Sequence, residues 1–178
     1  MRIVRLVDQA DRANLTGAID TFFFEASGSK AFADAQVRAA FRERWLGLYL
    51  AAWPEFVFLA RDRAGTLAGY LIGSLVNPAA DARFDDIGYF KTFAAACAVY
   101  PAHLHINLAP TWRGQGIGAD LITAFAGDAR RAGAPGLHIV TGKGARNSGF
   151  YRRQGFSVIA ETAWNGNTVI FMGRRLIE

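Results

Sequence analysis

Residues 103–118 read HLHINLAPTWRGQGIG, and they give the strongest indication of the fold. The alternating segment from His103 to Ala109 predicts a β-strand, which Pro110 ends. The glycine-rich segment Gly114-Gln-Gly-Ile-Gly118 follows, and the apolar spacing of residues 119–132 is typical of an amphipathic helix. The stretch therefore predicts a unit made of a strand, a glycine loop and a helix.

The loop has the composition of an anion-binding site. Gly114, Gly116 and Gly118 stand at alternate positions, and their backbone N–H groups can approach a ligand without obstruction by a Cβ atom. The first amides of the following helix, and the positive end of its dipole, face the same point. We therefore expect a pyrophosphate to bind here. The alternative is a turn that only lets the helix pack on the sheet.

Two common phosphate loops do not fit the spacing. A Walker A loop would end in Gly-Lys-Ser/Thr, whereas Gly118 is followed by Ala-Asp. Residues 114–119 satisfy a relaxed dinucleotide fingerprint, but that fingerprint needs an acidic residue about 20 positions later for the ribose. Residues 129–160 contain no acidic residue, which argues against a Rossmann domain.

The charge of the chain is concentrated in one place. Twenty Lys and Arg residues oppose fifteen Asp and Glu residues, which gives a formal net charge of +5. The acid-free stretch 129–160 carries six of the basic residues: Arg130, Arg131, Lys143, Arg146, Arg152 and Arg153. We therefore expect an anionic ligand to meet the C-terminal third of the chain.

Length and composition predict one cytoplasmic globular domain. The 178 residues, 52% of them hydrophobic, suit a single domain over residues 1–178. No apolar run is long enough to span a bilayer, and the charged first twelve residues argue against a signal peptide. Cys97 is the single cysteine, so neither an internal disulfide nor a thiolate zinc cluster is expected.

The rest of the chain predicts a mixed α/β domain, with a largely antiparallel sheet flanked by helices. Hairpin turns are expected at residues 62–65 and at Asn165-Gly166, and residues 77–98 are ambiguous. The predicted strands are residues 3–7, 56–61, 66–76, 103–109, 137–141, 156–163 and 168–174, and the predicted helices are residues 8–24, 32–51, 119–132 and 145–154.

Two motifs resemble those of one enzyme superfamily. Arg113-x-x-Gly116-x-Gly118, after a predicted strand, resembles the acetyl-CoA signature of the GNAT acetyltransferases. Asn147, followed by Tyr151 on a short helix ending in Gly-Phe, is similar to the second motif of that superfamily. The resemblance covers roughly residues 103–172 and implies the GNAT fold.

A finer resemblance concerns residues 100–106, Tyr-Pro-Ala-His-Leu-His-Ile. They are similar to a bacterial branch related to the acetyltransferase-like C-terminal domain of O-GlcNAcase, whose members are often described as pseudo-acetyltransferases.

The superfamily resemblance implies how acetyl-CoA is bound. The backbone amide of Leu108 would polarise the thioester carbonyl, and Asn147 would bond the pantetheine arm. A basic side chain such as Arg153 would reach the 3′-phosphate, with Arg152, Lys143 and Arg146 as alternatives and a solvated helix face as the other interpretation. The residues expected at the pyrophosphate are Arg113, Gly114, Gln115, Gly116, Ile117, Gly118 and Ala119.

The same resemblance implies that Tyr151 is the general acid for the departing CoA thiolate, unless it only packs on its helix. The strand before the loop has no carboxylate to serve as base, and alternation places His103, His105 and Asn107 on one face. His105 has a suitable ordinary pKa and is the candidate base, with a structural role as the alternative. A metal at His103 and His105 is not expected, because no third ligand is evident. The candidates for the walls of an acceptor cleft are residues 22–24, Trp45, Trp53 and Phe56, with a place in the core as the alternative.

We therefore predict an N-acetyltransferase that transfers acetyl directly from acetyl-CoA to an unidentified amine, either a small molecule or a protein lysine. Cys97 lacks the basic context of a covalent nucleophile. One alternative is a catalytically inactive CoA-binding module. A nucleic-acid-binding domain is less favoured, because the aromatic platforms and the helix-turn-helix are absent. The sequence leaves a monomer and a homodimer open.

Overall fold

A computed structural model describes residues 1–27 and 31–177 of the chain. Its strands are Arg2–Arg5 (β1), Val57–Arg61 (β2), Leu67–Ser74 (β3), Ala102–Leu108 (β4), Gly136–Gly142 (β5), Ser157–Trp164 (β6) and Asn167–Arg175 (β7). Its α-helices are Arg12–Ala26 (α1), Ala35–Arg42 (α2), Leu48–Ala52 (α3), Gly88–Thr92 (α4), Ala94–Val99 (α5), Ile117–Arg131 (α6) and Ser148–Arg153 (α7).

The strands pair in the order β1-β2-β3-β4-β5-β7-β6. The β4–β5 pair is parallel, whereas β1–β2, β2–β3, β5–β7 and β6–β7 are antiparallel. This is the mixed, largely antiparallel sheet with helices that the sequence predicts, so the fold class is confirmed. Two compact units divide the chain, Met1–Ser74 with His105–Phe125 and Leu75–Leu104 with Ala126–Glu178.

The first unit is built on β1, β2, β3 and the end of β4. The predicted hairpin is confirmed, since the Asp62 carboxylate accepts from the Thr66 amide at 2.8 Å inside the turn between β2 and β3. Strand β3 is buried along its whole length. Helix α1 and the start of α6 supply fully buried partners, and the core of this unit includes Ile19, Leu59, Leu71, Leu121 and Phe125.

The predicted helix over residues 32–51 is present, with a later start and a local irregularity. The structure has α2, then a π-helical segment Glu43–Gly47, and then α3, with helical backbone throughout. Asp34 caps α2 by accepting from the Val37 amide at 2.8 Å, so the helix begins later than Phe32. Helix α2 buries none of its residues, and Val37 is 47% exposed.

The second unit contains β5, β6, β7 and helices α4, α5 and α7, together with the start of β4. The ambiguous residues 77–98 form short 3₁₀ turns followed by α4 and α5. Asn165 (φ 49°) and Gly166 (φ 75°) make the predicted tight turn between β6 and β7. Leu137, Phe171 and Met172 are fully buried in this unit.

Candidate active site

The end of β4 is followed by a 3₁₀ turn, Pro110–Trp112, and then by the glycine loop. The Ala109 amide donates to the carbonyl of Ala68 on β3, at 3.0 Å. Backbone N–H groups alternate in direction along a strand, so the Leu108 N–H points away from β3. The backbone amide of Leu108, the predicted donor to a thioester carbonyl, is therefore on the side of β4 that faces away from β3.

The loop is shaped by two glycines and held by two of its own side chains. Gly114 (φ 76°) and Gly116 (φ 83°) adopt left-handed backbone conformations, which side chains other than glycine rarely accept. The Arg113 guanidinium donates to the Leu108 carbonyl at 3.1 Å. The side-chain amide of Gln115 donates to the Thr111 carbonyl at 3.0 Å. Arg113 and Gln115 thus position the loop from within.

The helix begins inside the predicted loop, at Ile117 rather than at Ala119. The first N–H groups of a helix have no partner within it, and Ile117 and Gly118 occupy these positions. The Ala119 amide already donates to the Gly116 carbonyl at 2.9 Å, and Asp120 donates to the same oxygen at 3.1 Å. The amide of Ala119, one of the predicted pyrophosphate donors, thus already has an acceptor in the loop.

A pocket of about 180 Å³ opens on the same unit. We call it the aromatic pocket. Its aromatic walls are Phe23, Phe41 and Trp45, its polar side is Tyr70, His105 and Asn107, and Ala26 and Ser27 complete its described lining. His105 and Asn107 lie on one side of β4, as their alternation predicts, and they line the pocket together.

Only some of the predicted cleft aromatics line this pocket. Phe23 and Trp45 do so, and Phe41 joins them. Trp53 instead packs against Tyr49, with ring centroids 5.5 Å apart. Phe56 packs edge to face on Phe125 at 5.9 Å, which is the alternative of core packing.

His105 is held among aromatic rings. Its Nε2 lies 3.3 Å from the Tyr49 hydroxyl, and its ring meets Tyr49 and Trp45 edge to face at 5.2 and 6.0 Å. Burial disfavours the charged imidazolium and lowers the pKa of His105 from 6.5 to about 4. The expectation of an ordinary histidine pKa is therefore wrong, because packing removes the water that would solvate the cation.

Tyr70, which the sequence did not indicate as a site residue, lies on β3 and is completely buried. The Asn107 side-chain amide donates to its hydroxyl at 2.8 Å. Burial raises the pKa of Tyr70 above its usual value, so the hydroxyl stays protonated. An isolated tyrosine in a buried strand has no local pattern that marks it as a site residue.

The second unit holds the residues of the second motif. Asn147 precedes α7, and its side-chain oxygen accepts from the Thr141 hydroxyl at 3.0 Å. Tyr151 is buried on α7 and packs against Phe156 with ring centroids 5.6 Å apart. Burial raises the pKa of Tyr151, so its hydroxyl is a proton donor at neutral pH.

The basic residues of the acid-free stretch differ in their surroundings. Lys143 pairs with Glu161 at 2.8 Å, and Arg131 pairs with Asp128. Arg152 and Arg153 lie exposed in the last turn of α7. The ion pair with Glu161 therefore reduces the positive charge that Lys143 offers to a phosphate. This pairing could not be predicted, because the two residues are far apart in the sequence.

Cys97 is fully buried, and desolvation raises the pKa of its thiol to about 12. It is a core residue rather than a nucleophile. Within residues 1–27 and 31–177, no group of three or more His, Cys, Asp and Glu side chains is placed to hold a metal ion. None of the helices in this described part is long and apolar enough to cross a membrane.

Solved structures with the same architecture belong to acetyltransferases and related proteins. SsHAT is 22% identical, with a TM-score of 0.74 and coverage of 99% of this chain and 98% of that one. The protein yncA of Salmonella typhimurium, solved with its cofactor acetyl-CoA, is 20% identical, with a TM-score of 0.61 and coverage of 100% and 95%. A ribosomal-protein-alanine N-acetyltransferase of Brucella melitensis is 20% identical, with a TM-score of 0.62 and coverage of 98% and 99%.

These identities establish a shared fold. The family is established by sequence, because a profile described as the acetyltransferase (GNAT) domain matches residues 54–158, which is more than half of the chain. The matched region includes the glycine loop, the aromatic pocket residues of β3 and β4, and Tyr151. The loop, the fold and the profile agree, and the protein belongs to the GNAT family of acetyltransferases.

Proposed function

We propose that the protein transfers the acetyl group of acetyl-CoA directly to an amine acceptor in a ternary complex. The observation that carries the proposal is the strand, loop and helix unit, in which two left-handed glycines, Gly114 and Gly116, lie between β4 and the start of α6. Exposed amides and the positive end of a helix suit the pyrophosphate of CoA. Acetyl-CoA acts here as a co-substrate and supplies the thioester.

The binding role is assigned residue by residue. The amides from Gly114 to Gly118 are proposed to hold the pyrophosphate, with Ala119 contributing only if its hydrogen bond to Gly116 is shared. The Leu108 amide donates to the thioester carbonyl, where negative charge develops during attack. Asn147 bonds the pantetheine arm. Arg153, exposed and near the end of α7, is proposed to meet the 3′-phosphate.

In the proposed reaction the amine nitrogen attacks the thioester carbon and forms the C–N bond. The C–S bond breaks, the amine loses one proton, and the CoA thiolate gains one. Tyr151 is proposed to supply that second proton, since its hydroxyl is kept protonated by burial. Cys97 is too deeply buried, and its thiol too weakly acidic, to form an acetyl-enzyme.

His105 is proposed as the acceptor of the amine's proton, directly or through water. With a pKa of about 4, it cannot deprotonate a free alkylammonium ion at neutral pH. After attack the nitrogen carries positive charge beside a forming amide and is far more acidic, so a weak base suffices. The acceptor therefore has to bind as the neutral amine.

The test begins with thermal unfolding in the presence of acetyl-CoA, with NAD as a control that also carries a pyrophosphate. A ligand at 100 times its Kd stabilises the folded state by about 2.7 kcal/mol. We expect acetyl-CoA to raise Tm and NAD to leave it unchanged. CoA release is then measured with a panel of primary amines. A failure of acetyl-CoA to change Tm would contradict the proposal.

A second candidate function is a CoA-binding module without turnover. The absence of a carboxylate from residues 103–109 and the low pKa of His105 favour it, because both leave the site without a strong base. Its signature is a Tm increase with acetyl-CoA, combined with no CoA release on any amine and no effect of Tyr151→Phe.

A further inference from the structure

The aromatic pocket combines an apolar wall with an uncharged polar side. Phe23 and Phe41 pack at 5.4 Å, and Phe41 also packs on Phe32 at 5.3 Å, which makes the wall a supported aromatic cluster. Trp45 packs edge to face on His105 at 6.0 Å and joins this wall to the polar side. Such a surface favours a flat apolar group over a flexible polar chain.

The size of the pocket suits a ligand with one aromatic ring. Its volume is about 180 Å³. In another protein, an apolar cavity of about 150 Å³ takes up benzene. A single aromatic ring with a short side chain therefore fits this space.

The described lining of the pocket contains no Asp, Glu, Lys or Arg side chain. Asp20, whose charge acts on Tyr70, is paired with Arg42 through hydrogen bonds of 2.8 and 3.2 Å. His105 is uncharged at neutral pH, and Tyr70 stays protonated. A ligand carboxylate or a second ammonium group would thus be desolvated in the pocket without a counter-charge.

The polar side has the groups that a neutral amine needs. Asn107 uses its side-chain N–H to reach the Tyr70 hydroxyl, which leaves the amide oxygen of Asn107 to accept an N–H from a ligand. Asn107 immediately precedes Leu108, whose amide is the proposed partner of the thioester carbonyl. An amine bound at Asn107 is therefore one residue along β4 from the proposed position of the thioester carbon that it would attack.

We propose that the acceptor is an arylalkylamine, a primary amine carried by a short chain on one aromatic ring, without a carboxylate or a second ammonium group. Its ring would lie in the aromatic pocket and its nitrogen at His105 and Asn107. This assignment rests on the proposed acetyl transfer and adds the substrate class. It excludes amino acids, polyamines and nucleotides, because each brings a charge that the pocket does not match.

The decisive comparison is between 2-phenylethylamine and L-phenylalanine, which share the ring and the amine and differ by one carboxylate. CoA release is measured for both, and for spermidine, with saturating acetyl-CoA. We expect kcat/KM for 2-phenylethylamine to exceed that for phenylalanine by at least about 100-fold. Equal or faster acetylation of phenylalanine or spermidine would overturn the assignment.

Variants of the wall test the place of binding. Trp45→Ala is expected to raise KM for 2-phenylethylamine about 10-fold, and Trp45→Phe, which keeps an aromatic ring, to restore most of the loss. Phe22→Ala serves as the matched control, because Phe22 is a half-buried neighbour of Phe23 on α1 outside the pocket lining. The increase in Tm caused by acetyl-CoA should be the same in all three variants. An unchanged KM in Trp45→Ala would place the amine elsewhere.

Calorimetric titration of 2-phenylethylamine without acetyl-CoA separates the two proposals. If acetyl-CoA neither raises Tm nor reacts, the proposed function fails, and the titration still decides the ligand class of the pocket. If acetyl-CoA reacts with other amines while 2-phenylethylamine neither binds nor reacts, the assignment of the acceptor alone is wrong.

Discussion

Gly69 on β3 lies so close to Leu108 on β4 that a side chain has no room between them. A Cβ atom at Gly69 would stand 2.3 Å from the Leu108 Cδ2 atom and 2.6 Å from the Asn107 carbonyl oxygen. The second contact is with backbone, which cannot rotate away. The close approach of these two residues therefore positions both the amide proposed to polarise the thioester and the side chain that lines the aromatic pocket.

Gly69→Ala is expected to displace the end of β4 and to cost about 1–3 kcal/mol of unfolding free energy. Because Asn107 and Leu108 move with the strand, the KM for the amine should rise as well. Gly17→Ala is the matched control: a Cβ there meets nothing within 4 Å, and alanine is the better helix former, so we expect unchanged or slightly higher stability. Urea denaturation and steady-state kinetics measure both effects. Equal stability of the two variants would contradict the prediction.

Gly116→Ala tests the loop. Its φ of 83° strains any other residue, and a displaced loop would no longer aim its amides at a pyrophosphate, so we expect at least a 10-fold higher Kd for acetyl-CoA. Gly166→Ala carries a comparable backbone strain (φ 75°) in the β6–β7 turn, and neither added Cβ meets a neighbour within 4 Å. Both variants should lose about 1 kcal/mol of stability, and only Gly116→Ala should lose affinity. Titration calorimetry with acetyl-CoA distinguishes them.

Tyr151→Phe is expected to lower kcat by about 100-fold while the Kd for acetyl-CoA stays the same, because phenylalanine keeps the packing on Phe156. A general acid matters less when the leaving group is a better one. The loss should therefore shrink when an acetyl thioester of a more acidic aromatic thiol replaces acetyl-CoA. An equal loss with both thioesters would assign Tyr151 a purely structural role.

His105 makes stability depend on pH in a defined window. Its pKa is about 4 in the folded protein and 6.5 in an exposed chain, so between these values the unfolded state binds more protons. Stability is thus lost as the pH falls from 6.5 towards 4. The side chain is half-buried by accessibility, and we expect its contribution to be about 1–2 kcal/mol. His105→Gln should flatten the pH dependence of unfolding in this window, measured by urea denaturation at several pH values. A slope identical to that of the unchanged protein would contradict the assigned pKa.

Much of the architecture could be predicted from local patterns. The β4 strand, the glycine loop, α6 and both hairpins lie close to where alternation, helical spacing and turn residues place them. Within the predicted helix over residues 32–51, the π-helical segment and the exposure of Val37 could not be predicted, because both depend on what packs against each turn. The finer resemblance of residues 100–106 to the O-GlcNAcase-related branch stays a prediction.

The order of the elements and the position of the glycine loop follow from the sequence alone, because strand alternation, helical spacing and left-handed glycines are properties of neighbouring residues. The surroundings of the candidate site residues depend on the tertiary structure. It brought Phe23, Trp45 and Tyr70 to His105, lowered the pKa of that histidine by burial, and paired Lys143 with Glu161. Burial and electrostatic pairing depend on contacts between residues far apart in the chain, so no local pattern contains them.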